Sequence, residues 1–158
     1  MWIELQVGSA EAIEASELRT MVFLDILGID PECPELNQGG TAFGWYEGDE
    51  LAASMVLERP EPSTVVFSRV AVKAALRGQG VGKMMLKTAE KWAAQNGSTK
   101  VILFAHRGSK QFYERLGYQK MGIELVLENI PHQRMELLLK SRINVKEESS
   151  KKISQDFT

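Results

Sequence analysis

Between residues 64 and 105 the apolar spacing changes character twice, and few folds accommodate that order. Residues 64–72, TVVFSRVAV, carry the β-branched and aromatic content of a strand. Next comes a glycine-rich turn, after which Val81, Met84, Met85, Thr88, Ala89 and Trp92 trace one helical face while Lys83, Lys87, Glu90 and Lys91 take the other. Asn96 and Gly97 supply a helix stop, and residues 100–105 read as a short apolar strand. The pattern spells β-α-β with its glycines at the first strand-to-helix junction. Such a junction binds anions: the first helical turn leaves N–H groups unpaired at the positive end of the dipole, and glycine lets an oxyanion approach the backbone.

The remaining segments predict a sheet around that unit. Residues 2–7 alternate as a strand, and residues 10–27 place Ile13, Leu18, Val22 and Ile26 near one helical stripe. The stretch 28–40, with Pro31, Pro34, Gly39 and Gly40, predicts a loop able to shape a pocket. Strands at 41–46 and 51–58, joined through Gly48-Asp49, and a third at 64–72 after Pro60 and Pro62, predict an antiparallel meander.

Two familiar phosphate loops fail on the run Arg77-Gly78-Gln79-Gly80-Val81-Gly82-Lys83. A Walker loop needs glycine at 77 and Ser or Thr at 84, where this chain has Arg77 and Met84. A dinucleotide fingerprint counted from Gly78 or Gly80 puts Lys83 or Met85 at its third glycine. A flexible connection with no ligand is the bland alternative. The run Arg-x-x-Gly-x-Gly after Arg69-Val70-Ala71-Val72 resembles the acetyl-CoA loop of the GNAT superfamily of N-acetyltransferases. Residues 109–118, SKQFYERLGY, resemble that family's other signature, Ala-x-x-Phe-Tyr-x-x-x-Gly-Phe/Tyr, with Ser109 in the alanine position. Read on its own, the same segment is a short helix in which Ser109 caps, Phe112 and Leu116 share a face, and Gly117 turns the chain out; Tyr113 is then a packing aromatic. The runs LRTMVF at 18–23 and IPHQRM at 130–135 are similar to the family's substrate-side helix and to the last hairpin of one of its branches, though amphipathic packing explains them too.

The resemblance covers residues 2–140 and implies a single α/β (α+β) domain, with a mixed, mostly antiparallel sheet of six to seven strands flanked by about four helices. It implies acetyl-CoA as cosubstrate. The backbone of Val70, Ala71 and Val72 would pair with the pantetheine arm, and Arg77, Gly78, Gln79, Gly80, Val81, Gly82 and Lys83 would hold the pyrophosphate. Tyr113 would donate the proton to the leaving thiolate, and the acetyl group would pass directly to a primary amine in a ternary complex. His106, where many members carry Asn or Gln, would contact the cosubstrate or relay a proton, and His132 is a second imidazole candidate. The stretches on which some members carry a catalytic carboxylate, VVFSR at 65–69 and VILF at 101–104, hold none. That leaves open a second reading: a non-catalytic acyl-CoA-binding sensor of the same fold.

Composition excludes more than it identifies. A length of 158 residues fits one domain, and a formal charge of -2 gives no overall basic field for nucleic acid or an anionic membrane. A basic face of Arg77, Lys83, Lys87 and Lys91 would be the route to RNA, but no RNP-like aromatics accompany it. One cysteine and two histidines allow no intrachain disulfide and predict no metal site. Cys33 reads as a loop thiol rather than a nucleophile. The N-terminal residues lack a signal pattern and no run has membrane-spanning length, so a cytoplasmic protein is expected. Residues 141–158 read as a polar, flexible tail. Expected partners are a small amine or a peptide N-terminus, for which Asp30, Glu32 and Glu35 would supply attraction, and a second copy of the chain through the C-terminal strands.

Overall fold

The computed structural model describes residues 1–28 and 40–139, so Cys33, the acids of the 28–40 loop and the 141–158 tail lie outside the described residues. In chain order the elements are β1 (Trp2–Glu4), α1 (Ala10–Leu27), β2 (Thr41–Glu47), β3 (Glu50–Glu61) and β4 (Thr64–Val72). A 3-10 turn (Ala74–Leu76) leads to α2 (Val81–Gln95), β5 (Lys100–His106) and α3 (Lys110–Arg115). The last elements are β6 (Gln119–Lys120), β7 (Leu125–Leu127) and β8 (Ile130–Leu138). The sheet runs β1-β2-β3-β4-β5-β8-β6, with β7 also on β8. All its pairings are antiparallel except β4 with β5.

The fold class and the 41–72 meander are as expected, and the element counts are corrected. The sheet has eight strands rather than six to seven, because the 118–138 region folds into three short pieces. Three α-helices and the 3-10 turn stand among the described residues, where about four helices were expected. Pro60 does not end β3, since the register slips between Glu58 and Glu61 and the ring falls at the irregular end of the ladder.

One helix covers each face of the sheet. On one side Met85, Leu86 and Ala89 of α2 pack with Phe43, Met55, Phe67, Val101, Leu103 and Met135. Burying side chains of this size contributes about 1.5–3 kcal/mol each. On the other side α1 packs Ala15, Leu18 and Val22 against Leu5, Tyr46, Leu51 and Ala71. Its buried stripe is Ala15, Leu18, Arg19 and Val22, while Ile13 and Ile26 are exposed, contrary to the stripe expected from apolar spacing. The inward position belongs to Arg19 because its Nη1 donates to Ser54 Oγ at 2.8 Å, and Ser54 donates in turn to the Phe43 carbonyl at 2.7 Å. Ser9 accepts from the Ala12 N–H at the start of α1, and Gly28, at φ 69°, ends it.

Candidate active site

A cleft opens where the parallel strands part. The β4–β5 ladder runs from Thr64 opposite Lys100 to Val66 opposite Ile102 and stops, although β4 continues to Val72 and β5 to His106. The parting begins at a bulge: Ser54 faces Ala71 and Val56 faces Ser68, so Met55 stands opposite both Arg69 and Val70. Arg69 takes φ 51° there, a left-handed conformation that costs on the order of 1–3 kcal/mol in a non-glycine residue. A cavity of about 730 Å³ fills the opening.

One end of the cavity is built from the end of β4 and the glycine-rich turn that follows it. Val70, Val72, Arg77, Gly78, Gly80, Val81, Gly82 and Lys83 line it; Ala71 is buried on the opposite face against α1, and Gln79 is exposed beside the loop. Gly78 at φ 78° and Gly80 at φ 84° set the turn, with open space where their side chains would stand. The loop is braced by its own side chains: Arg77 Nε donates to the Val72 carbonyl and Gln79 Nε2 to that of Ala75. Met84 N–H closes the first turn of α2 on the Gly80 carbonyl, and geometry leaves the N–H groups of Val81, Gly82 and Lys83 without intrahelical acceptors. Gly82 has a different reason to be small, because a Cβ there would lie 3.3 Å from Val72 Cγ2 and 3.5 Å from Phe112 Cζ.

Phe112 does not share the inward face with Leu116 as its spacing predicts; Tyr113 does. Tyr113 is 8% exposed and sits in the core with Leu116, whereas Phe112 is 37% exposed and lines the cavity rim. The helix is only six residues long, and its inward pair is Tyr113 and Leu116 rather than Phe112 and Leu116. Ser109 makes no capping bond through its side chain; its Oγ donates to the His106 carbonyl. Gly117, at φ 98°, ends α3 as expected, with Tyr118 N–H reaching the Tyr113 carbonyl and Gly117 N–H that of Glu114. Behind Tyr113, at a ring distance of 5.7 Å, stands Tyr118, whose hydroxyl donates to Glu90 Oε2 at 3.0 Å. Glu90 is therefore buried and bonded, not on the outward face of α2, and Met84 is exposed instead. Burial holds the Tyr113 phenol above its ordinary pKa, so it keeps its proton at neutral pH.

The other end of the cavity is built from side chains. Val22, Phe23 and Ile26 of α1 form one wall, Glu58, Val66, Ser68, Phe104, His106 and His132 rise from the sheet, Leu127 comes from the end of β7 and Glu128 from the turn after it. His106 and His132 are direct partners across β5 and β8. Burial first, and then the charge of His132, lowers the His106 pKa, leaving it neutral at pH 7. His132 Nδ1–H donates to the Ile130 carbonyl at 2.8 Å. Glu124 accepts from Arg107 and Lys110, which depress its pKa to about 2 and tie the approach to α3 onto the β6–β7 segment. Sequence reasoning missed both carboxylates of the cavity, Glu58 and Glu128, since neither lies on the strand stretches inspected for an acid. No group of three or more His, Cys, Asp or Glu that could hold a metal occurs among the described residues.

Comparison with known proteins places this geometry. Residues 11–139 match the model of the acetyltransferase (GNAT) domain. Over 91 residues the chain is 30% identical to an uncharacterized N-acetyltransferase of Bacillus subtilis strain 168, YvbK, a stretch that covers 58% of this chain and only 57% of that protein. A solved structure of a candidate N-acetyltransferase from Lactobacillus plantarum matches with a TM-score of 0.74 at 25% identity, covering 87% of this chain and 98% of the other. A GNAT family acetyltransferase from Elizabethkingia anophelis, solved with acetyl-CoA bound, shares the fold with a TM-score of 0.68 at 15% identity, covering 87% and 97%.

Proposed function

Because the chain belongs to the GNAT acetyltransferase family, we propose that it moves the acetyl group of acetyl-CoA to a primary amine by direct transfer. The observation that carries this reading is the parted β4–β5 cleft, which has open helix N–H groups at one end, carboxylates and imidazoles at the other, and the Tyr113 phenol on its lining. The pyrophosphate would rest on the N–H groups of Gly78 through Lys83, where the dipole of α2 and the charges of Arg77 and Lys83 favour an anion. The pantetheine arm would run along the β5-facing edge of Val70, Ala71 and Val72, which has no ladder partner there.

The chemistry then follows from what a thioester requires. A neutral amine attacks the carbonyl carbon, the C–S bond breaks, and the thiolate takes a proton from Tyr113. Burial raises the phenol's pKa, and the same dry surroundings would make the thiolate more basic, so donor and acceptor shift together. His106, neutral for the reason given above, takes the proton released by the amine, directly or through water.

Purified chain with acetyl-CoA and a panel of amines, followed by release of free thiol, tests the proposal. Thiol release that depends on an amine is the expected result. Saturable acetyl-CoA binding with no release from any amine would replace the transferase with a sensor of the same fold.

A further inference from the structure

The acceptor end of the cleft carries a chemical signature of its own. The register sets side chains of one sheet face in rows: Glu58 beside Val66, Val66 beside Ile102 and Ile102 beside Glu136. One step up stand Ser68, Phe104 and Arg134, and another step up on the β5–β8 arm stand His106 and His132. Neighbours within a row are about 5 Å apart and successive rows about 7 Å apart. The two carboxylates of the lowest row are treated differently. Glu136 is matched by Arg134 Nη2 at 2.9 Å and by Lys100 Nζ at 3.7 Å. Glu58 lines the cavity floor, half-buried, with no ion pair among the described residues. Arg69, also on the lining, has a partner of its own. A carboxylate left uncompensated beside apolar walls attracts a cation more strongly than one in open water, since the low dielectric screens it less.

The walls define the rest of the ligand. Phe23, Ile26, Val66, Phe104 and Leu127 present apolar surface, and Glu128 stands at the rim as a second negative charge. At the opposite end, Arg77 and Lys83 give the cleft a positive pole. The cavity is thus polarised along its length, with the apolar stretch toward the negative end.

We propose that this chain's acceptor is a cationic primary amine with an apolar body and no carboxylate, drawn in by Glu58 and laid against Phe23 and Phe104. The inference rests on the transferase reading and narrows it. Capture and deprotonation are separate steps: Glu58 and Glu128 concentrate the ammonium form, His106 accepts one proton before the lone pair attacks, and the proton the nitrogen loses after attack restores the Tyr113 phenol through water. A carboxylate next to the amine would face Glu58 and Glu128 and be repelled, and an amine without an apolar body would leave the walls wet.

Three amines separate these demands: phenethylamine, phenylalanine, which adds a carboxylate, and ethanolamine, which lacks the apolar body. With acetyl-CoA saturating, kcat/KM for phenethylamine is expected to exceed each of the others by at least about tenfold. Glu58→Gln is expected to lower that value about tenfold, chiefly through KM, and to narrow the gap to phenylalanine. Phe104→Ala is expected to narrow the gap to ethanolamine instead. Equal efficiencies for the three amines, or an unchanged KM in Glu58→Gln, would overturn the acceptor class while leaving the transferase intact. Should none of the three release thiol, calorimetric titration of each into CoA-saturated protein decides the point: the same order of affinities sustains the site, and equal affinities remove it.

Discussion

The two ends of the cleft are made differently. At the end assigned to the cosubstrate, the lining comes from β4, the turn after it, the first turn of α2 and the rim residue Phe112, and its glycines leave the backbone uncovered. At the acceptor end the lining comes from α1, β3, β4, β5, β7, β8 and the β7–β8 turn, and what faces the ligand is side chain. A site made of backbone tolerates changes at its charged side chains but not at the glycines that bring the backbone close. A site made of side chains can change specificity one residue at a time while the fold stays put.

The strongest way to break that contrast is Gly82→Glu. The new Cβ would press on Val72, and the carboxylate would sit among the N–H groups proposed to hold the pyrophosphate. Acetyl-CoA affinity, measured by calorimetric titration, is expected to fall at least about 100-fold, or about 2.7 kcal/mol. Gly82→Ala tests the steric part alone and should lose much less, because at 3.3 Å the Val72 methyl has only to shift slightly. Full affinity in Gly82→Glu would mean the anion sits elsewhere and the backbone end has been misassigned.

Tyr113→Phe probes the point where the two ends meet. The ring keeps its packing against Tyr118 and Phe112 while the proton is lost. Acetyl-CoA affinity should stay within about twofold, and the rate of thiol release should drop by about two to three orders of magnitude. A rate that does not change would hand the acid's role to water and reduce Tyr113 to packing.

What could be read in the sequence divides along the same line. The turn from Arg77 to Lys83 was legible because strand, glycines and helix are consecutive, and each glycine answers a local demand, as the positive φ of Gly78 and Gly80 shows. Gly117 was legible for the same reason. Glu90 was misread as surface and Arg19 was left off the buried stripe, because their partners, Tyr118 and Ser54, lie 28 and 35 positions away. Glu58 escaped notice since only the pairing of β3 with β4, and then the parting of β4 from β5, turns that strand residue into a cavity floor. The misplacing of Phe112 has a simpler cause: a helix of six residues has no settled face until it docks.

The smallest effect concerns His106, and it reports on the acceptor end alone. Burial disfavours the imidazolium, so the folded pKa lies below 6.5 and the proposed base is unprotonated at pH 7. The acidic limb of kcat/KM should therefore fall below pH 6.5. His106→Gln should remove that limb and slow transfer about tenfold at pH 7.5, a modest loss because water can carry the proton to the nearby carboxylates. Stability follows the same sign: the unfolded imidazole binds its proton first as pH drops, so the wild type loses stability relative to His106→Gln below pH 6.5 and gains nothing above it. His132→Gln separates a base from a merely buried ring. Removing His132's charge relieves one of the two causes that lower the His106 pKa, so the limb should move to higher pH while the rate on the plateau stays within about twofold. A limb that stays in place when His132 is lost would sever the two imidazoles, and one that survives His106→Gln would assign the base to another group on the acceptor wall.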